Sequence, residues 1–403
     1  MEWKEVRLGD ICTRVCSGGT PKSTNLSYYG GEIPWLNTKE IDFNRIYSTE
    51  KTITDSGLNN SSAKWIVPNT VTVAMYGATA GKSCIVKVPM TTNQACCNLT
   101  INDEVADYEF VYYSLKNDYT TLASLANGGA QQNLNAQIIK DYVLKMPSLA
   151  DQRRIASILS SLDRKIELNN KINADLEEMA QTIFKNWFVD FEPFKDGKFV
   201  DSELGMVPEG WKVGTLGDMG TIVCGKTPSK ANSNYYGGDI PFIKIPDMHG
   251  NVFVENSEDR LTEEGSLSQI KKLIPPYSLM VSCIATVGLV SINTKPSHTN
   301  QQINTVIPHN KSALFYLYQH IKNNEEFLKN MGRGGTTTLN VNTKSFSNIR
   351  LLIPSEIALE QFHGIVEGLF KKIEQNLHES RTLSLLRDTL LPRLMSGELE
   401  VPE

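Results

Sequence analysis

The sequence predicts an α+β protein in which two similar mixed α/β domains are separated by two long antiparallel helices, forming a coiled coil with approximate two-fold symmetry. Three observations support this fold class. The chain has 403 residues, more than a single hydrophobic core commonly organises. Its pattern repeats once, and each copy changes from strand-like segments to a helical period. Two domains, each followed by a long helix, are therefore expected.

The repeat consists of short motifs that return in the same order, at an offset of about 207 residues. The first-half motifs are Trp3-Lys4, Leu8-Gly9-Asp10, Thr20-Pro21, YYGGEIP at 28–34 and Asn93-Gln94. They return as Trp211-Lys212, Leu216-Gly217-Asp218, Thr227-Pro228, YYGGDIP at 235–241 and Asn300-Gln301. Because the offset holds across each half, the two halves are expected to share one fold.

Within each half, short apolar runs bounded by Pro, Asn and Gly predict strands and turns. Helices are expected at 108–125 and 314–329. The predicted boundaries are 1–149 for the first domain, 150–190 for the first long helix, 211–355 for the second domain, and 356–403 for the second long helix with the C-terminal tail. The segment 191–210 carries Gly, Pro and charge without a helical period, which predicts a linker.

Apolar residues in the two long helices recur in alternating steps of four and three, the pattern of a coiled-coil seam. The first seam is Ile155, Leu159, Leu162, Ile166, Leu176, Ala180, Ile183 and Trp187. The second is Phe362, Val366, Leu369, Ile373, Leu383, Arg387, Leu390 and Leu394, in which Arg387 is a charged departure. Two such helices most simply pack on each other.

The middle of both seams is polar, with Asn169 and Asn173 in the first and Asn376 and Ser380 in the second. Polar seam residues cost stability but fix register and orientation. In an antiparallel pairing, Asn173 faces Asn376 and Asn169 faces Ser380. The alternative is that these residues face solvent on a loosely packed helix pair.

Composition excludes several classes of protein. The formal net charge of -5 does not indicate a basic nucleic-acid-binding protein, so any such surface must be local or shared with a partner. The seven cysteines lack zinc-ligand spacing and are expected to be reduced and mostly buried. No stretch has the roughly 20 apolar residues of a membrane span, and the first residues lack an apolar signal region. A cytoplasmic protein is expected.

Motifs for catalysis are incomplete. The segment GATAGKS at 77–83 has three residues between its glycines, whereas a phosphate-binding P-loop has four. Pro275-Pro276-Tyr277 resembles the motif of amino-methylating enzymes, but Ile274 replaces the amide or carboxylate that precedes the prolines. The six histidines form no close metal pair, and Glu192 with Lys195 lacks the supporting aspartate of a nuclease site. No catalytic residue and no metal site are predicted.

Four loop regions that recur in both halves combine glycines with cations, hydroxyls and amides. Such groups bind phosphates through N–H groups and cations, and amides read base edges. The first-half candidates for DNA contact are Thr20, Lys22, Ser23, Asn37, Lys39, Thr79, Lys82, Asn93, Gln94, Gly129, Gln131, Gln132 and Asn133. The second-half candidates are Thr227, Ser229, Lys230, Lys244, Thr286, Asn300, Gln301, Gln302, Arg333, Gly335, Thr336, Thr337 and Asn340. The alternative is that these loops are simply turns.

Taken in order, these features resemble the specificity subunit of type I restriction-modification systems, across essentially the whole chain. The residues that carry the resemblance are Trp3-Lys4 with Leu8-Gly9-Asp10, Gly19-Thr20-Pro21, Pro147 with Asp151-Gln152, FVDFEP at 188–193, SELG at 202–205, PEGWK at 208–212 and LLPRLMSGEL at 390–399. Each motif alone is weak, but their order and spacing together are specific.

The resemblance implies two target-recognition domains that each read one half of a bipartite DNA target, and helices that set the gap. It also implies that the helices and adjoining domain surfaces bind two modification subunits, through which restriction subunits join. S-adenosylmethionine, ATP and Mg would be used by those partners, so this chain is expected to be non-catalytic and to hold no cofactor. Ile172, Phe184, Phe188 and Leu377 are expected to be exposed for docking. One alternative is a self-contained methyltransferase or nuclease, which would need a cofactor or metal motif. The other is a structural scaffold that never binds DNA, which would show no salt-dependent DNA affinity even when assembled with its partner.

Overall fold

The structure is a computed structural model that describes residues 2–126, 133–333 and 339–401. The chain divides into two compact units. The first consists of Met1–Ile166 with Thr382–Glu403, and the second of Glu167–Arg381. Each unit therefore contains one mixed domain together with a stretch of each long helix.

Short strands and helices make up the first unit. Its strands are β1 Lys4–Arg7, β2 Cys12–Ser17, β3 Tyr29–Leu36, β4 Arg45–Ile46, β5 Thr52–Ile53, β6 Trp65–Ile66, β7 Val71–Ala74, β8 Ser83–Val86, β9 Met90–Thr92, β10 Cys96–Ile101 and β11 Val143–Met146. Its helices are α1 Asp55–Asn59, α2 Tyr108–Asn117, α3 Tyr119–Ser124, α4 Ala136–Asp141 and the first part of α5 Leu149–Phe188.

These strands form a five-stranded sheet in the order β2-β10-β7-β8-β4, a four-stranded sheet in the order β5-β3-β9-β6, and the pair β1-β11. The central strands β7 and β8 are buried along their whole length, which their continuous short runs of small and apolar residues permit. Val71, Val73 and Ile85 are fully buried in one core with Phe110 and Val111 of α2. That core holds the sheet against the helices.

The second unit repeats this architecture. Its strands are β12 Phe199–Ser202, β13 Gly205–Pro208, β14 Lys212–Thr215, β15 Gly220–Cys224, β16 Tyr236–Ile243, β17 Phe253–Val254, β18 Arg260–Leu261, β19 Leu279–Ser282, β20 Val290–Asn293, β21 His298–Thr299, β22 Ile303–Pro308 and β23 Arg350–Ile353. Its helices are α6 Leu216–Met219, α7 Ile245–Met248, α8 Glu263–Leu267, α9 Leu314–Asn323, α10 Glu325–Gly332, α11 Thr343–Ser347 and most of α12 Glu356–Met395.

Strand order shows the duplication directly. The five-stranded sheet runs β15-β22-β19-β20-β17, the smaller sheet runs β18-β16-β21, and β14 pairs with β23. Each of these pairings has its counterpart in the first unit at about the same offset, whereas the β12-β13 pair has none. In place of a strand equivalent to β6, the second unit has an isolated bridge between Ile274 and Ser297. The two domains therefore share one topology, as the repeat predicts.

Two expectations about secondary structure were incomplete. The segments 108–125 and 314–329 each hold two short helices, because the chain leaves helical geometry at Asp118 (ψ 11°) and Asn324 (ψ 24°). The segment 191–210 is more than a linker, since β12 and β13 pair as a hairpin in it. The turn between these strands is closed by Ser202 Oγ, which donates to the carbonyl of Gly205 at 2.6 Å.

Helices α5 and α12 are 40 residues each. They run antiparallel within each unit: in the second unit the Phe188 ring lies 4.9 Å from that of Phe362, and Asn376 Nδ2 donates to Asn173 Oδ1 at 2.9 Å. In the first unit Arg387 Nη1 lies 2.7 Å from Asp163 Oδ1. These contacts place the ends of one helix segment against the opposite ends of the other.

The predicted seam is partly displaced. Ile155, Leu159, Ala180, Phe362, Val366, Ile373 and Leu394 are buried, as predicted. Elsewhere the buried position moves one residue along, to Asp163, Phe184, Phe188, Phe370 and Leu391, because a straight α-helix drifts against a strict 3.5-residue repeat. Phe184 (3% exposed) and Phe188 (7%) are therefore core residues, and the expectation that they are exposed for docking was wrong. Ile172 and Leu377 are half-buried.

Most of the cysteines are buried, as the composition predicts. Cys84, Cys96, Cys97 and Cys283 are buried, and the remaining three thiols are half-buried. All seven are free cysteines. Burial raises the pKa of Cys283 to about 11, so its thiol stays protonated. Among the described residues, no helix combines the length and apolar character needed to cross a membrane.

Candidate nucleic-acid interface

The same hydrogen bond between threonine and glutamine joins two loops in each unit. In the first unit Thr20 Oγ1 donates to Gln94 Oε1, and in the second Thr227 Oγ1 donates to Gln301 Oε1 at 2.7 Å. Both glutamines are exposed. Because the amide oxygen accepts from threonine, the Nε2 group is the end left to donate to an incoming ligand.

Glycine allows these loops to approach. A Cβ on Gly18 would lie 2.1 Å from the carbonyl oxygen of Thr92, and a Cβ on Gly225 would lie 2.2 Å from that of Asn300. Both contacts are with backbone, which cannot swing aside. Tyr29 anchors the loop that contains Thr20, since its hydroxyl donates to the carbonyl of Pro21 at 2.6 Å. The equivalent tyrosine of the second unit makes the same bond at 2.8 Å.

Further loops join the first pair. Asn93 Nδ2 donates to Asn37 Oδ1 at 2.9 Å, and Thr79 Oγ1 donates to the carbonyl of Thr38 at 2.9 Å. Residues 18–23, 37–42, 77–82 and 92–94 thus form one surface, which we name the first loop cluster.

The second unit has an equivalent surface. The N–H group of Asn300 donates to the carbonyl of Ile243 at 3.2 Å, and that of Cys283 donates to the carbonyl of Gln302 at 2.8 Å. Residues 225–230, 243–247, 283–286 and 299–302 therefore lie together as the second loop cluster. The repeated sequence regions are thus brought together in space in each unit.

The fourth predicted region is only partly described. Asn133 forms a β-bridge with Tyr76, next to the first loop cluster, and Asn340 forms the matching bridge with Ile284 next to the second. Both asparagines are exposed. The other candidates in this region, Gly129, Gln131, Gln132, Gly335, Thr336 and Thr337, lie outside the described residues.

Exposure separates the candidate residues into two groups. Those exposed to solvent are Thr20, Lys22, Ser23, Lys39, Gln94, Asn133, Ser229, Lys230, Thr286, Gln301, Arg333 and Asn340. They offer cations and hydroxyls for phosphates and amides for base edges. Asn37, Thr79, Lys82, Thr227, Lys244 and Gln302 are half-buried, so part of each side chain is occupied by the protein.

Asn93 and Asn300 differ from their predicted role, because both are buried. Asn93 Oδ1 accepts from the N–H group of Ala95 at 3.0 Å while its Nδ2 holds Asn37. Asn300 binds Gln302 with both ends of its amide, at 3.0 and 3.1 Å. Both asparagines are therefore loop-shaping residues, and the exposed glutamine that follows each one is the better candidate for contact.

Acidic neighbours occupy two of the predicted cations. Lys82 Nζ lies 2.6 Å from Asp42 Oδ1, and Lys244 Nζ lies 2.6 Å from Asp259 Oδ2. The hydrogen bond to Asp259 raises the pKa of Lys244. A lysine already paired with a carboxylate gains less from a phosphate, so these two are weaker candidates than Lys22, Lys39 and Lys230.

Sequence reasoning missed two residues of this surface. Lys226 is exposed, and its N–H group anchors the loop on the carbonyl of Thr299 at 2.9 Å. Its place directly before the Thr227-Pro228 motif was the available signal. Tyr76 is 39% exposed at the bridge with Asn133, two residues beyond the buried strand β7. Neither loop cluster supplies a metal site, since no group of three or more metal-ligating side chains occurs among the described residues.

Comparisons with known proteins agree with this duplicated arrangement. The family model for the type I restriction modification DNA specificity domain matches residues 1–178 and 208–383. The chain is 32% identical to the HindI specificity subunit of Haemophilus influenzae, over 99% of this chain and 100% of that protein. It is 30% identical to the MjaIX specificity subunit of Methanocaldococcus jannaschii, over 100% of this chain and 94% of that protein.

One solved structure has the same fold. The type I restriction-modification S subunit from M. genitalium matches with a TM-score of 0.62, covering 98% of this chain and 96% of that one. Its sequence identity is 16%, so this likeness concerns the fold alone.

Proposed function

The chain belongs to the family of type I restriction-modification DNA specificity proteins, and from that premise we propose that each of its domains reads one half of a bipartite DNA target. The first loop cluster is the reading surface of the first domain, and the second loop cluster that of the second. The helices α5 and α12 set the number of unread base pairs between the half-sites. The bases that each domain reads are not encoded by the shared topology.

The observation that carries the proposal is the duplicated hydrogen bond from Thr20 to Gln94 and from Thr227 to Gln301. It fixes an exposed amide in the same orientation on both domains, with Nε2 left to donate. Guanine O6 and N7, adenine N7 and thymine O4 are the major-groove acceptors that such a donor can bind. Exposed lysines in the same loops would bind the flanking phosphates, which position the protein without reading sequence.

The chain performs recognition only, and catalysis belongs to its partners. We infer that two modification subunits dock on the long helices and adjoining domain surfaces, and that restriction subunits join through them. S-adenosylmethionine, ATP and Mg are used by those partners. Exposed apolar side chains of the helices supply docking surface: Leu168, Met179, Ile357 and Ile365 in the second unit, and Leu385 and Leu386 in the first.

A matched pair of substitutions tests the assignment of one half-site to each domain. Gln94→Ala and Gln301→Ala are made in the full chain, assembled with its modification subunits, and methylated positions are mapped on a randomised DNA library. Each variant is expected to relax the base preference within one half-site only, and a different one in each case, because a lost base contact costs about 1–3 kcal/mol.

Gln361→Ala, an exposed position on α12, is the control and should leave both half-sites unchanged. Relaxation of the same half-site by both loop variants, or of neither, would contradict the proposal.

A further inference from the structure

The contact between each domain and its long helix uses equivalent positions with opposite chemistry. In the first unit the contact is ionic and buried. Arg45 Nη2 lies 3.2 Å from Glu109 Oε1, and Arg45 Nη1 lies 3.8 Å from Asp163 Oδ2 on α5. The Arg45 side chain is 3% exposed and that of Asp163 7%. An ion cluster thus joins β4, α2 and α5.

Asp163 is the centre of this cluster. The hydroxyl of Tyr113 donates to Asp163 Oδ2 at 2.5 Å, and Arg387 Nη1 of α12 donates to Asp163 Oδ1 at 2.7 Å. Burial raises the pKa of Tyr113, so the phenol stays a neutral donor. Both carboxylate oxygens are therefore bonded, which is what makes a buried ion cluster tolerable.

In the second unit the equivalent positions are aromatic. Matching β4 with β17, α2 with α9 and α5 with α12 from their first residues pairs Arg45 with Phe253, Glu109 with Phe315 and Asp163 with Phe370. The Phe315 and Phe370 rings stack at 4.1 Å, and Phe253 meets Phe370 edge-on at 6.3 Å.

The helix partner changes as well. Arg387 has Ala180 as its counterpart, and Ala180 is fully buried in the same core as Phe370. In the first unit the long Arg387 side chain contacts the short Asp163 side chain. In the second unit the small Ala180 side chain shares a core with the large Phe370 ring. All four positions are charged in the first unit and apolar in the second. The charges of the first set balance only within that set, and the apolar side chains of the second set pack only within theirs.

Mixing the two sets is unfavourable in either direction. Arg45 and Glu109 packed against Phe370 would be buried without the carboxylate and the second arginine that balance them, and buried charge that has lost a partner is strongly destabilising. The Phe253 and Phe315 rings packed against Asp163 would bury that carboxylate among apolar groups. Each domain surface therefore fits one helix stretch.

We propose that these four positions are a docking key that assigns each domain to its own stretch of the long helices. Arg45, Glu109, Asp163 and Arg387 are positioning residues for the first domain, and Phe253, Phe315, Phe370 and Ala180 are those for the second. They touch no DNA. The functional part of this inference rests on the proposed function: a domain held at one place on the helix reads its half-site at one distance from the other.

The first test measures hydrogen exchange in the full chain. Asp163→Asn preserves size but removes the charge, and it should speed exchange in Tyr108–Asn117 roughly a hundredfold and leave Leu314–Asn323 unchanged. Asp163→Phe alone should behave similarly. The complete exchange of Arg45→Phe, Glu109→Phe, Asp163→Phe and Arg387→Ala should return protection to within about tenfold of the original chain, since a packed apolar set can replace a buried ion cluster.

Ser161→Phe, at an exposed position of the same helix, is the control and should not change exchange. The key is refuted if Asp163→Asn leaves Tyr108–Asn117 unchanged. It is equally refuted if the four-residue set exchanges as fast as Asp163→Phe alone.

The second test separates positioning from stability. The chain is assembled with its modification subunits, and methylation is measured on DNA in which the gap between the half-sites varies. Asp163→Asn should broaden the accepted gap lengths, and the four-residue set should restore one gap. A single accepted gap in Asp163→Asn, despite faster exchange, would overturn the positioning role. If the unaltered complex shows no sequence-selective methylation, the proposed function fails, while the exchange comparison still decides whether the key exists.

Discussion

Replacing the asparagine pair Asn173 and Asn376 of the helix seam with leucine should stabilise the second unit, and only when both residues are changed. Asn376 is 1% exposed and Asn173 8%. Their amides share one hydrogen bond of 2.9 Å, and Asn173 Nδ2 and Asn376 Oδ1 have no hydrogen-bond partner among the described residues. The Asn173–Asn376 pair therefore buries two unpaired polar atoms for one hydrogen bond.

The magnitude follows from that balance. A buried polar atom without a partner costs about 1–3 kcal/mol, and one hydrogen bond contributes about 1 kcal/mol. Asn173→Leu or Asn376→Leu alone removes one unpaired atom but creates another on the remaining asparagine, so the gain is small. The double change removes both unpaired atoms. Its stabilisation should exceed the sum of the two single effects by about 2 kcal/mol or more.

The free energy of unfolding is measured for the original chain, the two single variants and the double variant. Each full chain is unfolded with denaturant, and unfolding is monitored by hydrogen exchange in residues 167–188. Asn170→Leu, on an exposed neighbouring position, is the control and should lie within about 0.5 kcal/mol of the original chain. Single effects that add up to the double effect would refute the reasoning, because they would mean that the unpaired atoms carry no cost.

Two other predictions concern pH and salt. Burial lowers the pKa of His298 and of His320 to about 4, from the ordinary 6.5. The unfolded chain then binds protons more readily than the folded chain. The free energy of unfolding of the second unit should therefore fall by roughly 1 kcal/mol per histidine as the pH is lowered from 7.5 to 5.5. The first unit contains no histidine, and equal proteolytic sensitivity of both units at pH 5.5 would contradict this. In the assembled complex, Lys230→Ala should lower the log-log salt slope of DNA affinity by about one, and Lys82→Ala by less because Asp42 already pairs with it. Equal slopes would show the assignment to be wrong.

Local periodicity made the long helices and the polar layer predictable. Asn169 Nδ2 donates to Ser380 Oγ at 3.2 Å and Asn376 Nδ2 to Asn173, which are the pairings expected of an antiparallel seam. The duplicated topology was also predictable, because both halves carry the same motifs at one offset. These features depend on residues close in sequence or on comparison of the chain with itself.

Outside the helix seam, contacts between distant segments were not predictable. Nothing in the sequence around Lys82 indicates an acidic partner. Its pairing with Asp42 depends on how two loops that are distant in sequence meet. Asn93 and Gln94 look alike in the sequence, yet one is buried and the other exposed, since the turn between β9 and β10 decides which amide faces inward. Phe188 was misplaced for a related reason: the aromatic core of the second domain, including Trp211 and Tyr316, surrounds it, and this core is absent from the helix pattern alone.

Inserting four residues after Asn173 tests the central claim, that two separate readers are spaced by the helices, most directly. Four residues lengthen α5 by about 6 Å, which corresponds to one or two base pairs at about 3.4 Å each. Methylated sites are then mapped in cells that carry the altered chain with its modification subunits. We expect both half-site sequences to be unchanged and the gap between them to grow by one or two base pairs. An unchanged gap, or altered half-site bases, would contradict the account.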